Sequence, residues 1–251
     1  MPGRRLGQHF LARRSILERI ARAACEYHDR PLIEIGPGKG ALTEHLLNAS
    51  SRVIAIEVDQ VLVHYLQEKF RGRPNFSVLH ADVLKTDLAQ WEQVSVAGNL
   101  PYYITSPILE KVLGLGALLL KAVFLVQKEV AARIAAGPGS RDYGFLSVNM
   151  QAMAEPRILF DVPPDAFRPP PKVESAVIEL IPRQHGAIAD HKSFLQFASA
   201  AFKQKRKTLR NNLAELYGRD AISGEREANL RAEQLSIEEL ANLHQRILKF
   251  R

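Results

Sequence analysis

Short apolar runs alternating with helical patterns constrain this chain more than any other feature. Leu32-Ile33-Glu34-Ile35, Val53-Ile54-Ala55-Ile56, Phe76-Ser77-Val78-Leu79, Val94-Ser95-Val96-Ala97 and Ala122-Val123-Phe124-Leu125-Val126 are short, nearly continuous in apolar residues and bounded by turn residues. Helical patterns fall around them: Ile16 to Ala24, Ala41 to Leu47, Val61 to Phe70, a helix through Val112 opened by Ser106-Pro107, and Lys128 to Ala136 ended by Gly137-Pro138-Gly139. In the Ser106-Pro107 pair the serine is expected as N-cap and the proline at the first helical position. Strands that are apolar on both faces need cover on both faces, so the pattern predicts a mostly parallel sheet between layers of helices. Ile158 to Val162 and Ala176 to Ile181 add two late strands, for seven in all, and the prolines between them (Pro163-Pro164, Pro169-Pro170-Pro171) hold a rigid loop. After Pro182-Arg183 only helical patterns remain. The expected division is an α/β domain over residues 1–182 and a small all-α domain over residues 183–251.

Composition narrows the partners. The formal net charge is +7, and from Arg183 onward 13 basic residues stand against 8 acidic ones, so most of the excess lies in the expected helical domain. Such a balance favours a polyanionic partner, because lysines and arginines on phosphates release counterions. Lys203, Lys205, Arg206, Lys207 and Arg210 fall within eight residues, and at helical spacing Lys203, Lys207 and Arg210 share a face suited to tracking a phosphate backbone. The single cysteine, Cys25, excludes an intramolecular disulfide and a cysteine-rich zinc site, and fits a reducing, cytoplasmic setting. No apolar stretch is long enough to span a membrane. Met1 to Leu17 carries Arg4, Arg5, Arg13 and Arg14 and no acid, and reads as a basic arm of the mature domain rather than as a leader.

The turn after the first strand, Glu34-Ile35-Gly36-Pro37-Gly38-Lys39-Gly40-Ala41, is a glycine-rich strand-to-helix junction that lets a ligand approach the backbone. It satisfies the dinucleotide pattern G-x-G-x-x-A, so a nicotinamide-dependent dehydrogenase enters as a reading. Glu57 ends the second strand, where a carboxylate accepts from ribose hydroxyls. Asp82 ends the third strand and is placed to accept from an adenine amine. Asn99 ends the fourth. Polar groups at successive carboxyl ends of a parallel sheet line one crevice. The run that closes the fourth strand, Asn99-Leu100-Pro101-Tyr102, offers an amide oxygen, a fixed turn and an aromatic face at one point. Those are the parts needed to hold a flat base by its exocyclic amine, and they point to modification of an adenine.

Glu34 to Ala41, Glu57, Asp82 and Asn99 to Tyr102 together resemble the motifs of class I S-adenosylmethionine-dependent methyltransferases that act on adenine N6. Gly7-Gln8-His9-Phe10-Leu11, Gln127-Lys128-Glu129-Val130-Ala131, Phe167 to Ser175 and Lys207 to Leu213 resemble more narrowly the KsgA/RsmA family of small-subunit rRNA adenine dimethyltransferases. The resemblance spans almost the whole chain. It implies a Rossmann-like class I methyltransferase fold with a small helical C-terminal domain that binds RNA, and S-adenosylmethionine as cofactor with no metal. Cofactor contacts are implied at His9, Leu11, Gly36, Glu57, Asp82 and Asn99, with Gly38 in the same turn; relatives often carry Asn where His9 stands. The implied substrate is a pair of adjacent adenines in the 3′-terminal hairpin of 16S rRNA in a small-subunit precursor, each receiving two methyl groups. Nothing in the sequence demands more than a monomer, which is the state expected.

In that frame Asn99 and the Leu100 carbonyl are expected to accept from the target N6–H, Tyr102 to stack on the base, and Phe167 to close its other face or to pack in the core. Two rivals share the fold: an Erm-type enzyme acting on a large-subunit adenine, and a mainly non-catalytic ribosome assembly factor.

Overall fold

The computed structural model describes residues 9–183, 188 and 190–250; Arg4, Arg5 and the Gly7-Gln8 half of the N-terminal motif lie outside them. In chain order the elements are β1 (Phe10–Leu11), α1 (Arg14–Ala24), β2 (Leu32–Ile35), α2 (Ala41–Ala49), β3 (Val53–Glu57), α3 (Gln60–Lys69), β4 (Phe76–His80), β5 (Val94–Asn99), α4 (Thr105–Leu113), β6 (Leu119–Gln127), α5 (Lys128–Ala135), α6 (Phe145–Gln151), β7 (Ala154–Val162), β8 (Phe167–Arg168), β9 (Ser175–Pro182), α7 (His191–Ala201), α8 (Leu209–Tyr217), α9 (Asp220–Ser223) and α10 (Ile237–Lys249).

Seven strands form one sheet in the order β4-β3-β2-β5-β6-β9-β7. The first five are parallel to their neighbours, and β9 runs antiparallel to β6. Every residue of β2 and β3 is buried, as expected of parallel strands covered on both faces. Strand order reverses at β2, which lies between β3 and β5. In an open parallel sheet that reversal opens a crevice beyond the strand carboxyl ends, where ligands bind. The chain therefore has the expected seven-stranded, mostly parallel Rossmann-like architecture.

A second, two-stranded sheet was not expected. In β1 and β8, Phe10 pairs with Arg168 and Leu11 with Phe167 in antiparallel register, and the Ala12 N–H donates to the Ala166 carbonyl at 2.8 Å. This pairing fixes the N-terminal arm against the loop that precedes β9. The opening of α4 also differs from expectation. Ser106 lies inside the first turn, because the helix starts at Thr105, whose hydroxyl donates to the Pro101 carbonyl at 3.2 Å.

The chain divides into two compact units, one of Met1–Ala131 with Glu155–Pro182, the other of Ala132–Ala154 with Arg183–Arg251. Residues 132–154 thus belong with the helical unit, although their place in the sequence puts them before the expected boundary. The reason is packing at long sequence separation: Tyr143 is buried in the helical core with Val148, Phe194, Leu213 and Leu240, and its hydroxyl donates to the Leu235 carbonyl at 3.0 Å. Within this unit α10 is amphipathic, burying Leu240, Leu243, His244 and Ile247. Its first turn is closed by a capping box in which Ser236 and Glu239 satisfy each other's backbone N–H. No described helix is long and apolar enough to cross a membrane.

Candidate active site

The carboxyl ends of β2, β3, β4 and β5 surround a cavity of about 390 Å³. His9, Leu11, Gly36, Gly38, Glu57, Asp82, Asn99, Leu100 and Tyr102 all line it. The loop after β2 reaches it through Gly36 and Gly38, and these two and Gly40 stand at positive φ. At Gly38 a side chain is excluded twice over, since φ is +57° and a Cβ there would stand 2.9 Å from the Phe10 ring.

Glu57 is buried, and its carboxylate accepts from three backbone N–H groups: Gly38 at 3.2 Å, Val58 at 2.9 Å and Asp59 at 3.0 Å. It thereby ties the glycine loop to the end of β3. A carboxylate offers about four acceptor positions, so roughly one remains toward the cavity. Asp82 accepts from the Leu84 N–H at 3.0 Å, which orients its carboxylate at the turn after β4.

Asn99 shows the most informative orientation. One N–H of its Nδ2 donates to the His9 backbone carbonyl at 3.0 Å, which turns the amide nitrogen toward the N-terminal arm and leaves Oδ1 without a partner among the described residues, on a side chain that lines the cavity. Leu100, almost fully buried, donates its N–H to the Leu125 carbonyl at 3.1 Å, extending the β5–β6 ladder to the cavity edge. Tyr102 follows on a short 3-10 turn over Tyr102–Ile104. Its ring lies 6.2 Å from that of His9 at an interplanar angle of 26°, and its Oη is 2.7 Å from Ser175 Oγ. Burial pushes the Tyr102 phenol above its ordinary pKa. His9 is held in turn: a carbonyl oxygen only accepts, so Nδ1, 2.9 Å from the Pro169 carbonyl, carries the proton.

A family model described as ribosomal RNA adenine dimethylase matches residues 3–249. The chain belongs to the ribosomal RNA adenine dimethylase family. It is 45% identical over 251 aligned residues, 95% of this chain and 89% of the relative, to a ribosomal RNA small subunit methyltransferase A of Acidobacterium capsulatum. Among solved structures it is similar to a dimethyladenosine transferase from Plasmodium falciparum, with a TM-score of 0.83 at 26% identity over 96% of this chain and 97% of that one. It is also similar to the 23S rRNA methyltransferase ErmE, with a TM-score of 0.76 at 27% identity over 95% of this chain and 99% of that one.

In this dimethylase one expected base contact is not at the cavity. Phe167 is fully buried in the core with Leu11, Ile20, Val123 and Val162, and it does not line the cavity. The cause is the β1–β8 pairing. Side chains alternate faces along a strand, so pairing with the buried Leu11 turns Phe167 inward and leaves Arg168 exposed. Core packing is the role the structure gives it.

The basic cluster is corrected in its geometry. Phe202–Thr208 is a turn between α7 and α8 rather than a helix, so Lys203, Lys207 and Arg210 do not share a helical face. Asn212 explains the break: buried in α8, its Nδ2 donates to the carbonyls of Ala201 at 2.7 Å and Gln204 at 3.1 Å, closing the end of α7. Like charges at helical i,i+4 spacing would in addition repel. Lys203 pairs with Glu215 and Lys205 with Glu233. Arg206, Lys207 and Arg210 are exposed and have no carboxylate partner among the described residues.

Glu34 at the cavity and Ser175, bonded to Tyr102, are residues that the motifs contain without marking out. Glu34 lines the cavity, is fully buried, and its Oε2 has no hydrogen-bond partner among the described residues. Burial pushes its carboxyl up to about 8. An acid in the middle of an otherwise apolar strand was the available signal.

Proposed function

We propose that the chain transfers methyl groups from S-adenosylmethionine to N6 of two adjacent adenines in the 3′-terminal hairpin loop of 16S rRNA, during maturation of the small ribosomal subunit in the cytoplasm. The observation that carries the reading is the Asn99 carboxamide at the cavity, whose nitrogen donates to the His9 carbonyl and whose oxygen has no partner among the described residues. An exocyclic amine needs an acceptor at that point.

The residues present fit the cofactor. The buried, unpartnered Oε2 of Glu34 suits a cationic amino group, the glycine loop admits a ligand against the backbone, Glu57 keeps an acceptor for a ribose hydroxyl, and Asp82 stands in the turn after β4 for an adenine amine. His9, Leu11, Gly36 and Gly38 would wall the same space. When bound, the sulfonium supplies an activated methyl group.

The protein's own work is alignment and charge stabilisation. An adenine N6 lone pair is delocalised into the ring and is a poor nucleophile. Accepting its hydrogens at Asn99 Oδ1 and the Leu100 carbonyl favours a tetrahedral nitrogen with the lone pair free to react. The same acceptors stabilise the positive charge that grows on nitrogen during transfer. Holding the reacting atoms in line is worth up to ~7–11 kcal/mol in well-oriented cases. Stacking on Tyr102 adds roughly 1–3 kcal/mol toward holding an unstacked base. The methylated ammonium is acidic and loses its proton to water. For the second transfer the base is held through its one remaining N6–H.

A target base reached this way is flipped out or already unpaired, as in a hairpin loop. The helical unit is proposed to carry the RNA backbone contacts through Arg206, Lys207 and Arg210. The relatives named for the small subunit favour 16S over 23S rRNA. The test is incubation with labelled S-adenosylmethionine and small subunits from unmethylated cells, followed by mapping. Label is expected at two adjacent adenines of the 3′-terminal hairpin; label confined to large-subunit rRNA would overturn the reading.

A further inference from the structure

Tyr102 is asked to present a flat face in one plane, yet it stands on a three-residue 3-10 turn at the cavity wall, with two side-chain torsions to fix. Its backbone is set by the turn, in which the Ile104 N–H donates to the Pro101 carbonyl at 3.2 Å. That bond does not reach the ring. The far end of the ring is held by the hydrogen bond between Tyr102 Oη and Ser175 Oγ, at 2.7 Å and 73 residues away in sequence.

Ser175 is well built for that task. It is the first residue of β9, is fully buried, and pairs in register with Gln127 at the end of β6. The position is anchored from the neighbouring residue. The Lys128 N–H donates to the Glu174 carbonyl at 3.0 Å, and Lys128 Nζ lies 2.8 Å from both Glu174 Oε2 and Asp161 Oδ2. A hydroxyl buried without a partner is costly, so a serine at this point is stabilised by the phenol it meets. Beside the ring, His9 is held separately through Pro169.

We infer that Ser175 is a positioning residue for the methyl transfer, fixing the plane of the Tyr102 ring so that a base stacked on it presents its amine to Asn99 Oδ1. The inference rests on the function proposed above. It assigns to the start of β9 a part in catalysis without contact with the base.

The test is a double-mutant cycle on methylation of unmethylated small subunits by the full-length protein, using Ser175→Ala, Tyr102→Phe and the two combined. Tyr102→Phe removes the same hydrogen bond from the other side while leaving the buried serine in place. Each single change is expected to lower kcat by about tenfold, the size of one lost hydrogen bond, with KM for S-adenosylmethionine within about twofold of wild type. The double variant is expected to be no slower than either single one. Melting temperature and calorimetric cofactor binding are measured on each variant to confirm folding. Losses that multiply in the double variant would overturn the inference, since a merely structural serine acts independently of the phenol. A Ser175→Ala protein with wild-type kcat would overturn it as well. If the wild-type protein leaves 16S rRNA unlabelled, the proposed function fails and this inference falls with it.

Discussion

Glu34 and Glu57 sit on adjacent strands at one cavity, and their surroundings differ in kind. Glu57 accepts three backbone N–H bonds, whereas Glu34 is fully buried, its Oε2 has no hydrogen-bond partner among the described residues, and burial pushes its carboxyl up to about 8. A carboxyl whose folded value lies above its unfolded one binds more protons when folded, so its contribution to stability is complete at low pH and is lost as pH rises through the folded value. For the protein without ligand, the stability of wild type relative to Glu34→Gln is expected to fall between about pH 5 and about pH 9. Melting-temperature profiles of the two proteins check this, and parallel profiles would contradict it. Glu34 was visible in the sequence as a charge inside an apolar run. What the run did not show is that one of its oxygens would be buried without a hydrogen-bond partner among the described residues.

Elements of two residues decide as much as the long ones. β1 and β8 are too short for any periodicity, so neither was legible, yet their pairing sets the site by bringing His9 to Asn99 and turning Phe167 into the core. Phe167→Ala is expected to destabilise the fold by about 3–5 kcal/mol, the usual cost of emptying a buried aromatic site. Phe167→Leu is expected to keep most of the methyl transfer, which an essential stacking ring would not allow. Denaturant unfolding with parallel activity assays tests both. The strand ends bearing Glu57 and Asn99 were legible because turn residues bound each apolar run sharply, whereas Asp82, expected to end its strand, lies two residues past the end of β4. The turn over Phe202–Thr208 was not, because the carboxamide that ends α7 comes from Asn212, on the next helix. Charge reversal at Arg206 and Lys207 is expected to weaken RNA binding and to reduce the salt slope by about one unit for each phosphate no longer neutralised. Lys203→Glu is expected to change binding less, because that lysine already faces Glu215. Filter binding across a salt series separates these outcomes.

At the scale of the whole molecule, the alternation of strand and helix made the sheet and its crevice readable, and the end of the sheet at Pro182 also came out of the pattern. The segment 132–154 did not, because its membership is decided by Tyr143 and Val148 meeting side chains from beyond residue 190. Local periodicity shows the helix that opens at Lys128, and neither α6 nor the core that the segment joins. The cavity at the strand carboxyl ends, the Asn99 nitrogen turned to His9 and the braced Tyr102 ring all serve the same claim: an adenine amine is gripped by the Asn99 oxygen while a methyl group is delivered. Single-turnover transfer to unmethylated small subunits by Asn99→Ala tests that claim most directly. The expected result is a rate lowered by about 10²–10³-fold, as when a preorganised charge-stabilising group is removed, with RNA and cofactor affinities within about twofold of wild type. Transfer at the wild-type rate, or a loss matched by an equal loss of binding, would contradict it.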